Sequence, residues 1–185
     1  MKLLLTETVI EYHPSDLSAW KSGKKSKWTS SDRVPDQVHN QPTSHFGEYY
    51  VLSYFRKAHW SGFCFYALGE WEPTNPKLID GRKMVSQRFS SQRLVEFRNR
   101  RSQAGYSSGK GEPDLFLFVE DGPNLFLEVK KGTDRVSPAQ LNCLATIKSV
   151  LGAQVGIVYL AEYGRSYKPK SYELDLNRLT GARIA

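Results

Sequence analysis

Residues 111–131 read GEPDLFLFVEDGPNLFLEVKK. Two apolar runs, DLFLFVE (114–120) and NLFLEVKK (124–131), flank Asp121-Gly122-Pro123, a tight-turn signal, so the segment predicts a β-hairpin. Downstream, Ser137-Pro138 starts a helix, with Ser as N-cap and Pro in the first turn, that runs to about Leu151 and stops at Gly152. VGIVYL (155–160) then reads as a third buried strand. Upstream, SHFGEYYVLSYFRKAHW (44–60) sets Phe46, Val51, Leu52, Phe55 and Ala58 close to helical period, and GFCFYAL (62–68) reads as an aromatic-rich strand. GEWEPTNPKLIDG (69–81) reads as a loop, and MVSQRFSSQRLVEFRNRRSQ (84–103) as a helix with Val85, Phe89, Leu94 and Phe97 as its apolar set. The order helix, strands, helix, strand predicts an α/β domain, a central mixed β-sheet flanked by helices.

The charges inside the hairpin point to chemistry. Side chains two apart on a strand share a face, so Glu128 and Lys130 point one way while Leu127 and Val129 point the other. Hairpin pairing brings Asp114 beside the end of the second strand, so Asp114, Glu128 and Lys130 converge at one end of the sheet. Charges set in apolar strands are costly unless paired or holding a metal. Two carboxylates with a backbone carbonyl, that of Val129, suit Mg²⁺, which prefers hard oxygen ligands and keeps several waters. A metal there would neutralise a phosphate and lower the pKa of a bound water, and Lys130 would orient or deprotonate that water or stabilise charge on phosphorus. The residue types fit phosphodiester hydrolysis. The plain rival is a structural Glu128–Lys130 pair on an exposed strand, with Asp114 a turn residue.

PD at 113–114 followed by EVK at 128–130 resembles the signature of the PD-(D/E)XK nuclease superfamily. SSGKGEPDLFLF before it and SPAQLNCLATIKSVLGAQVGIVYL after it resemble, more narrowly, the VRR-NUC branch, over about residues 105–160. The resemblance implies a restriction-endonuclease-like core and a metal-dependent DNA endonuclease using Mg²⁺ or Mn²⁺. By the same resemblance Asp114 and Glu128 are metal ligands and Lys130 is the catalytic lysine. Glu48 matches the family's glutamate on the preceding helix, a further candidate ligand, and Gln140 its glutamine on the helix after the catalytic strand. From the residues alone, Glu48 is a first-turn carboxylate complementing the helix dipole, and Gln140 with Ser137 makes a capping box. The compact size is similar to stand-alone members, which implies a homodimer acting in repair on branched DNA such as four-way junctions or flaps. Alternatives are a sequence-specific or defence-related endonuclease on linear duplex, and a non-catalytic DNA-binding protein on a nuclease-like core.

The chain of 185 residues carries 26 basic and 19 acidic residues, a net charge of +7, which favours a polyanionic partner or simply solubility. The basic residues Lys77, Arg82, Lys83, Arg88, Arg93, Arg98, Arg100, Arg101 and Lys110 concentrate just before the catalytic strand and suit phosphate contacts. From these, Arg88, Arg93, Arg98, Arg100, Arg101 and Lys110 are the DNA-binding candidates, with Lys131; a solvated helix face is the rival. Ser107–Gly111 reads as a mobile loop beside the metals. Residues 1–43, with KSGKKSKW (21–28) and Pro14, Pro35 and Pro42, read as an irregular extension with one strand near Leu3–Ile10, either ordered or a flexible basic arm on nucleic acid. The nuclease domain is expected over 44–161, with an insert around 69–110, and 162–185 as a tail. The four histidines, 13, 39, 45 and 59, lack ligand spacing, and Trp20, Trp28, Trp60 and Trp71 read as core or loop anchors before base-stacking platforms. Cys64 and Cys143 read as reduced core thiols. MKLLLTETVIEY is too short an apolar start for a signal peptide and no segment suits a bilayer, which predicts a soluble cytoplasmic protein.

Overall fold

A computed structural model describes residues 1–29, 44–69, 76–107, 109–177 and 183–184. Pro35, Pro42, His39, Trp71 and Ser108, together with 70–75 of the loop expected over 69–81, lie outside the described residues. The elements in chain order are β1 (Lys2–Thr6), β2 (Thr8–Tyr12), α1 (Pro14–Lys21), α2 (Ser26–Thr29), α3 (Phe46–Arg56), β3 (Ser61–Phe63), α4 (Pro76–Arg88) and α5 (Ser91–Gln103). They continue as β4 (Leu115–Phe118), β5 (Asn124–Lys131), α6 (Pro138–Thr146) with a π-helical turn (Ile147–Leu151), β6 (Gln154–Glu162), β7 (Ser171–Asp175) and β8 (Arg183–Ile184).

The expected mixed sheet is a restriction-endonuclease-like core of order β2-β6-β5-β4-β3. The β4–β5 hairpin is antiparallel and pairs Leu115 with Leu127 and Phe118 with Asn124, while β5–β6 and β6–β2 are parallel. Alternation along β4 and β5 builds two apolar layers. Leu115, Leu117, Leu125, Leu127 and Val129 face α3, whose Phe46, Tyr49, Val51 and Leu52 join Trp20 and Trp28. Phe116, Phe118 and Phe126 face α4, α5 and α6, through Val85, Phe89, Leu94, Phe97 and Cys143. Phe116 and Phe126, directly paired across the hairpin, stack at 4.8 Å between centroids with neither ring exposed, each worth about 1.5–3 kcal/mol of burial. Cys143 is the buried thiol of this layer, whereas Cys64 is half-buried; neither is in a disulfide.

Several expectations are corrected. Residues 2–29 are no irregular arm: β2 forms an edge of the main sheet beside β6, and Trp20 and Trp28 sit in the core. A pairing across some 150 residues of sequence leaves no local signal. The tail is also ordered where described, since β7 pairs antiparallel with β1 in a second small sheet. Buried Glu7, between β1 and β2, ties the two ends by accepting from Tyr167 Oη at 2.6 Å, Tyr172 Oη at 2.8 Å and Lys170 N at 2.8 Å. The helix expected over 84–103 is two, because Ser90 leaves helical geometry (φ −62°, ψ 147°) and caps α5 by accepting from Arg93 N. The first of these helices begins at Pro76, within the expected loop, and the strand expected over 62–68 spans only Ser61–Phe63. Among the described residues no helix is long and apolar enough to cross a membrane.

Candidate active site

Asp114 directly precedes β4, and its carboxylate continues the ladder that the backbone leaves unfinished. Leu115 is the last residue of β4 paired with β5, and Asp114 Oδ2 accepts the N–H of Val129 at 2.8 Å. The side chain thus supplies a rung to a buried donor that would otherwise lack one. One residue before Val129, Glu128 is wholly buried at the sheet's centre, flanked in register by Ile157 of β6.

Glu128 Oε1 receives two donors: Lys130 Nζ at 2.7 Å and the side-chain amide of Gln140. Lys130, two residues on along the same face, keeps 11 % of its side chain exposed. Gln140 is held by its own helix, because its Oε1 accepts Ser137 N at 2.9 Å while its backbone N–H donates to Ser137 Oγ. This is the predicted capping box, and it turns the amide nitrogen toward Glu128.

Glu128 Oε2 is buried with no hydrogen-bond partner. The Asp114 carboxyl lies within hydrogen-bonding reach of Glu128, so two groups of acceptors face each other with a proton or a cation needed between them. Burial foremost, then the Asp114 charge, pushes the Glu128 carboxyl up to about 9, against the pull of Lys130. Burial also raises Asp114 above its ordinary value, despite the Val129 N–H.

Glu48 approaches from the other layer, in the first turn of α3. Burial pushes its carboxyl up, but the hydrogen bond from His45, its own backbone N–H and the nearby Lys131 charge outweigh that and hold it below its ordinary value. His45 Nδ1 lies 3.1 Å from Glu48 Oε1, on a residue with left-handed backbone (φ 63°). His45 is the site residue that sequence reading passed over; its i, i+3 spacing to Glu48 was the available signal. Glu48, Asp114, Glu128, Lys130, Lys131 and Gln140 line one cleft of about 530 Å³, which Val129 also reaches. Among the described residues no three acidic, histidine or cysteine side chains gather closely enough to cage a metal.

Several of the arginines expected to contact DNA are engaged with the protein itself. Arg88 donates to Val119 O at 2.6 Å and lies over the Phe118 ring, at the hairpin's turn. That turn is some 13 Å along β5 from Glu128. Arg93 donates to Leu151 O at 3.2 Å, and Arg100 pairs with Glu96 at 3.3 Å. Arg98 is half-buried. Arg101 has no exposed surface and cannot reach a phosphate, which corrects its assignment. Its guanidinium instead donates to Ala139 O at 3.2 Å, to Asn142 Oδ1 and to Lys110 O, and packs over Tyr106. Lys110 is exposed.

Residues 77–161 match a family model described as the VRR-NUC domain. The matched span runs from α4 to β6 and contains Asp114, Glu128, Lys130 and Gln140; Glu48 and the two N-terminal strands precede it. No curated protein matches the chain.

Proposed function

Since residues 77–161 are a VRR-NUC domain, a nuclease domain of the PD-(D/E)XK kind, we propose that the protein is an endonuclease that hydrolyses DNA with Mg²⁺ or Mn²⁺ held by Asp114 and Glu128. One observation carries this reading: the buried Glu128 Oε2 without a donor, beside a second carboxylate, in an open cleft. The donor set fits a hard divalent ion, since two carboxylates leave room for the several waters Mg²⁺ retains. The Val129 carbonyl completes the set, because N–H and C=O of one strand residue face the same side and the Val129 N–H faces Asp114. Such an ion supplies charge neutralisation at the phosphate and a bound water of lowered pKa.

The remaining work falls to the chain. Gln140 and Lys130 fix the Glu128 carboxyl from two directions. The Lys130 ammonium, partly exposed to the cleft, orients the attacking water and stabilises charge as that oxygen bonds to phosphorus and the P–O bond to the leaving nucleotide breaks. Glu48, with His45 and Lys131 beside it, lines the same cleft and would offer a further carboxylate to the ion or to its waters. Branched DNA is the proposed preferred substrate and a homodimer the proposed assembly, by the likeness to stand-alone family members. The test is cleavage of end-labelled four-way junction, flap and linear duplex of shared sequence in Mg²⁺, Mn²⁺ or EDTA. The reading expects metal-dependent cutting, fastest on the junction. Defined cut positions on linear duplex would instead favour the restriction-like alternative, and binding without cutting the non-catalytic one.

A further inference from the structure

Four lysines, Lys21, Lys24, Lys25 and Lys27, lie in and around the turn that joins α1 to α2, with no acidic residue among them. The turn is an ordered platform. Lys24 N donates to Ala19 O at 2.9 Å and Gly23 N to Trp20 O at 3.0 Å, with Gly23 left-handed at φ 86°. Trp20 is fully buried, and its indole Nε1–H donates at 3.0 Å to the carbonyl of Ser44, a residue of the cleft wall. The platform is thus fastened to the active-site cleft through a single indole.

Two of these lysines are engaged. Lys27 pairs with Asp16 at 2.7 Å, and Lys25 is buried with its ammonium 4.9 Å from the Trp20 ring centroid. Lys21 and Lys24 are exposed and have no ion pair among the described residues. Buried aromatic rings connect this platform to a lysine of the cleft. Phe46 contacts both Trp20 and Trp28 at 6.0 Å between centroids, and Lys131 Nζ lies 5.4 Å from the Phe46 centroid. Lys130, its neighbour, reaches Glu128. By contrast Arg88 and Arg93 bond to backbone at the hairpin end of the sheet, Arg100 pairs with Glu96, and Arg101 is buried.

We infer that the α1–α2 turn is a DNA-binding surface, where Lys21 and Lys24 hold backbone phosphates of the duplex that Lys131 and Lys130 lead into the cleft. The inference rests on the nuclease reading for the identity of its ligand. A duplex presents one phosphate per about 3.4 Å of axis on each strand, so a platform one indole from the cleft wall meets phosphates close to the scissile bond. Such contacts add affinity without sequence preference.

The test is fluorescence anisotropy of a labelled duplex in EDTA, which bars hydrolysis, across a KCl series with the full chain. For K21A/K24A the slope of log K against log[KCl] is expected to shrink by about 1.8, that is about 0.9 for each phosphate no longer neutralised, and K21R/K24R is expected to restore it. R93A/R100A serves as the competing surface. An unchanged slope in K21A/K24A, or a decrease confined to R93A/R100A, overturns the inference. Hydrolysis by the wild type is scored separately in Mg²⁺. Cutting with an unchanged K21A/K24A slope removes this surface and leaves the nuclease reading intact. A reduced slope without any cutting removes the nuclease reading and leaves the surface.

Discussion

Gln140 holds Glu128 with one end of its side-chain amide and the start of its own helix with the other: Nε2 donates to Glu128 Oε1 while Oε1 accepts Ser137 N at 2.9 Å. A helix cap and a contact to Glu128 are thereby one residue, and the orientation of the second follows from the first. The two roles separate in Gln140→Glu. A glutamate at this position keeps the capping box but has no N–H for Glu128. Its unfolding free energy should stay within about 1 kcal/mol of wild type, while DNA cleavage falls about 10–100-fold, as is usual when a group orienting a metal ligand is removed. Urea denaturation beside a cleavage time course measures both; equal losses in Gln140→Glu and Gln140→Ala stability would contradict the shared role.

Gly111 sets how closely Asp114 approaches that helix. It is left-handed at φ 75°, and a Cβ there would lie 2.7 Å from Ala139 C and 2.8 Å from Gln140 N. Both atoms are backbone, which cannot yield as a side chain can. Gly111→Ala should cost about 1–3 kcal/mol, and should lower cleavage further than that loss explains by pushing the Asp114 loop from Gln140. Thermal melts with activity at 15 °C separate the two effects.

Arg101 clips the same loop from below. It joins Lys110 O to Ala139 O and Asn142 Oδ1 without any solvent exposure, and its charge opposes the burial that pushes Glu112 up to about 7. Glu112 in turn accepts the N–H groups of Leu68 and Gly69 at 3.0 and 3.1 Å. Arg101→Met leaves these buried acceptors without their donor and should cost about 3–5 kcal/mol. Urea denaturation checks this; a loss under about 1 kcal/mol would mean the network is dispensable.

The Glu7 cluster predicts a pH dependence of its own. Burial, followed by the Glu7 carboxylate, raises Tyr167 and Tyr172 above their ordinary value near 10. A raised folded-state pKa favours the protonated phenol in the fold. The resulting stability is fully present below about pH 10 and is lost as the pH rises through the folded-state values. Denaturation free energy measured from pH 8 to 12 should fall above pH 10 in wild type and fall less steeply in Tyr172→Phe.

The geometry of the candidate site was legible in the sequence where it is local. Asp114, Glu128 and Lys130 could be brought together from strand periodicity and one tight turn, and the Ser137–Gln140 box from a spacing of three. The mixed sheet followed from the order of the elements. What escaped is long-range. Thr8–Tyr12 carries a sequence typical of many strands, and its place beside β6 is fixed only by the packing of Ile10 and Tyr12 onto α3 and α1. Arg101 looked like its neighbours because a run of arginines does not show which member faces the core. Ser90 divided a continuous helical pattern because its hydroxyl competes for Arg93 N, a choice that apolar periodicity does not register.

The most direct test of the account is DNA cleavage in Mg²⁺, Mn²⁺ and EDTA by wild type, Asp114→Asn, Glu128→Gln and Lys130→Met, with duplex affinity measured in parallel. The account predicts cutting by wild type in either metal and none in EDTA. It predicts loss of at least about 100-fold in all three variants with DNA affinity retained, since the groups removed act on the reacting phosphate rather than on the backbone at large. Cleavage by wild type in EDTA, or by Glu128→Gln at the wild-type rate, would contradict it.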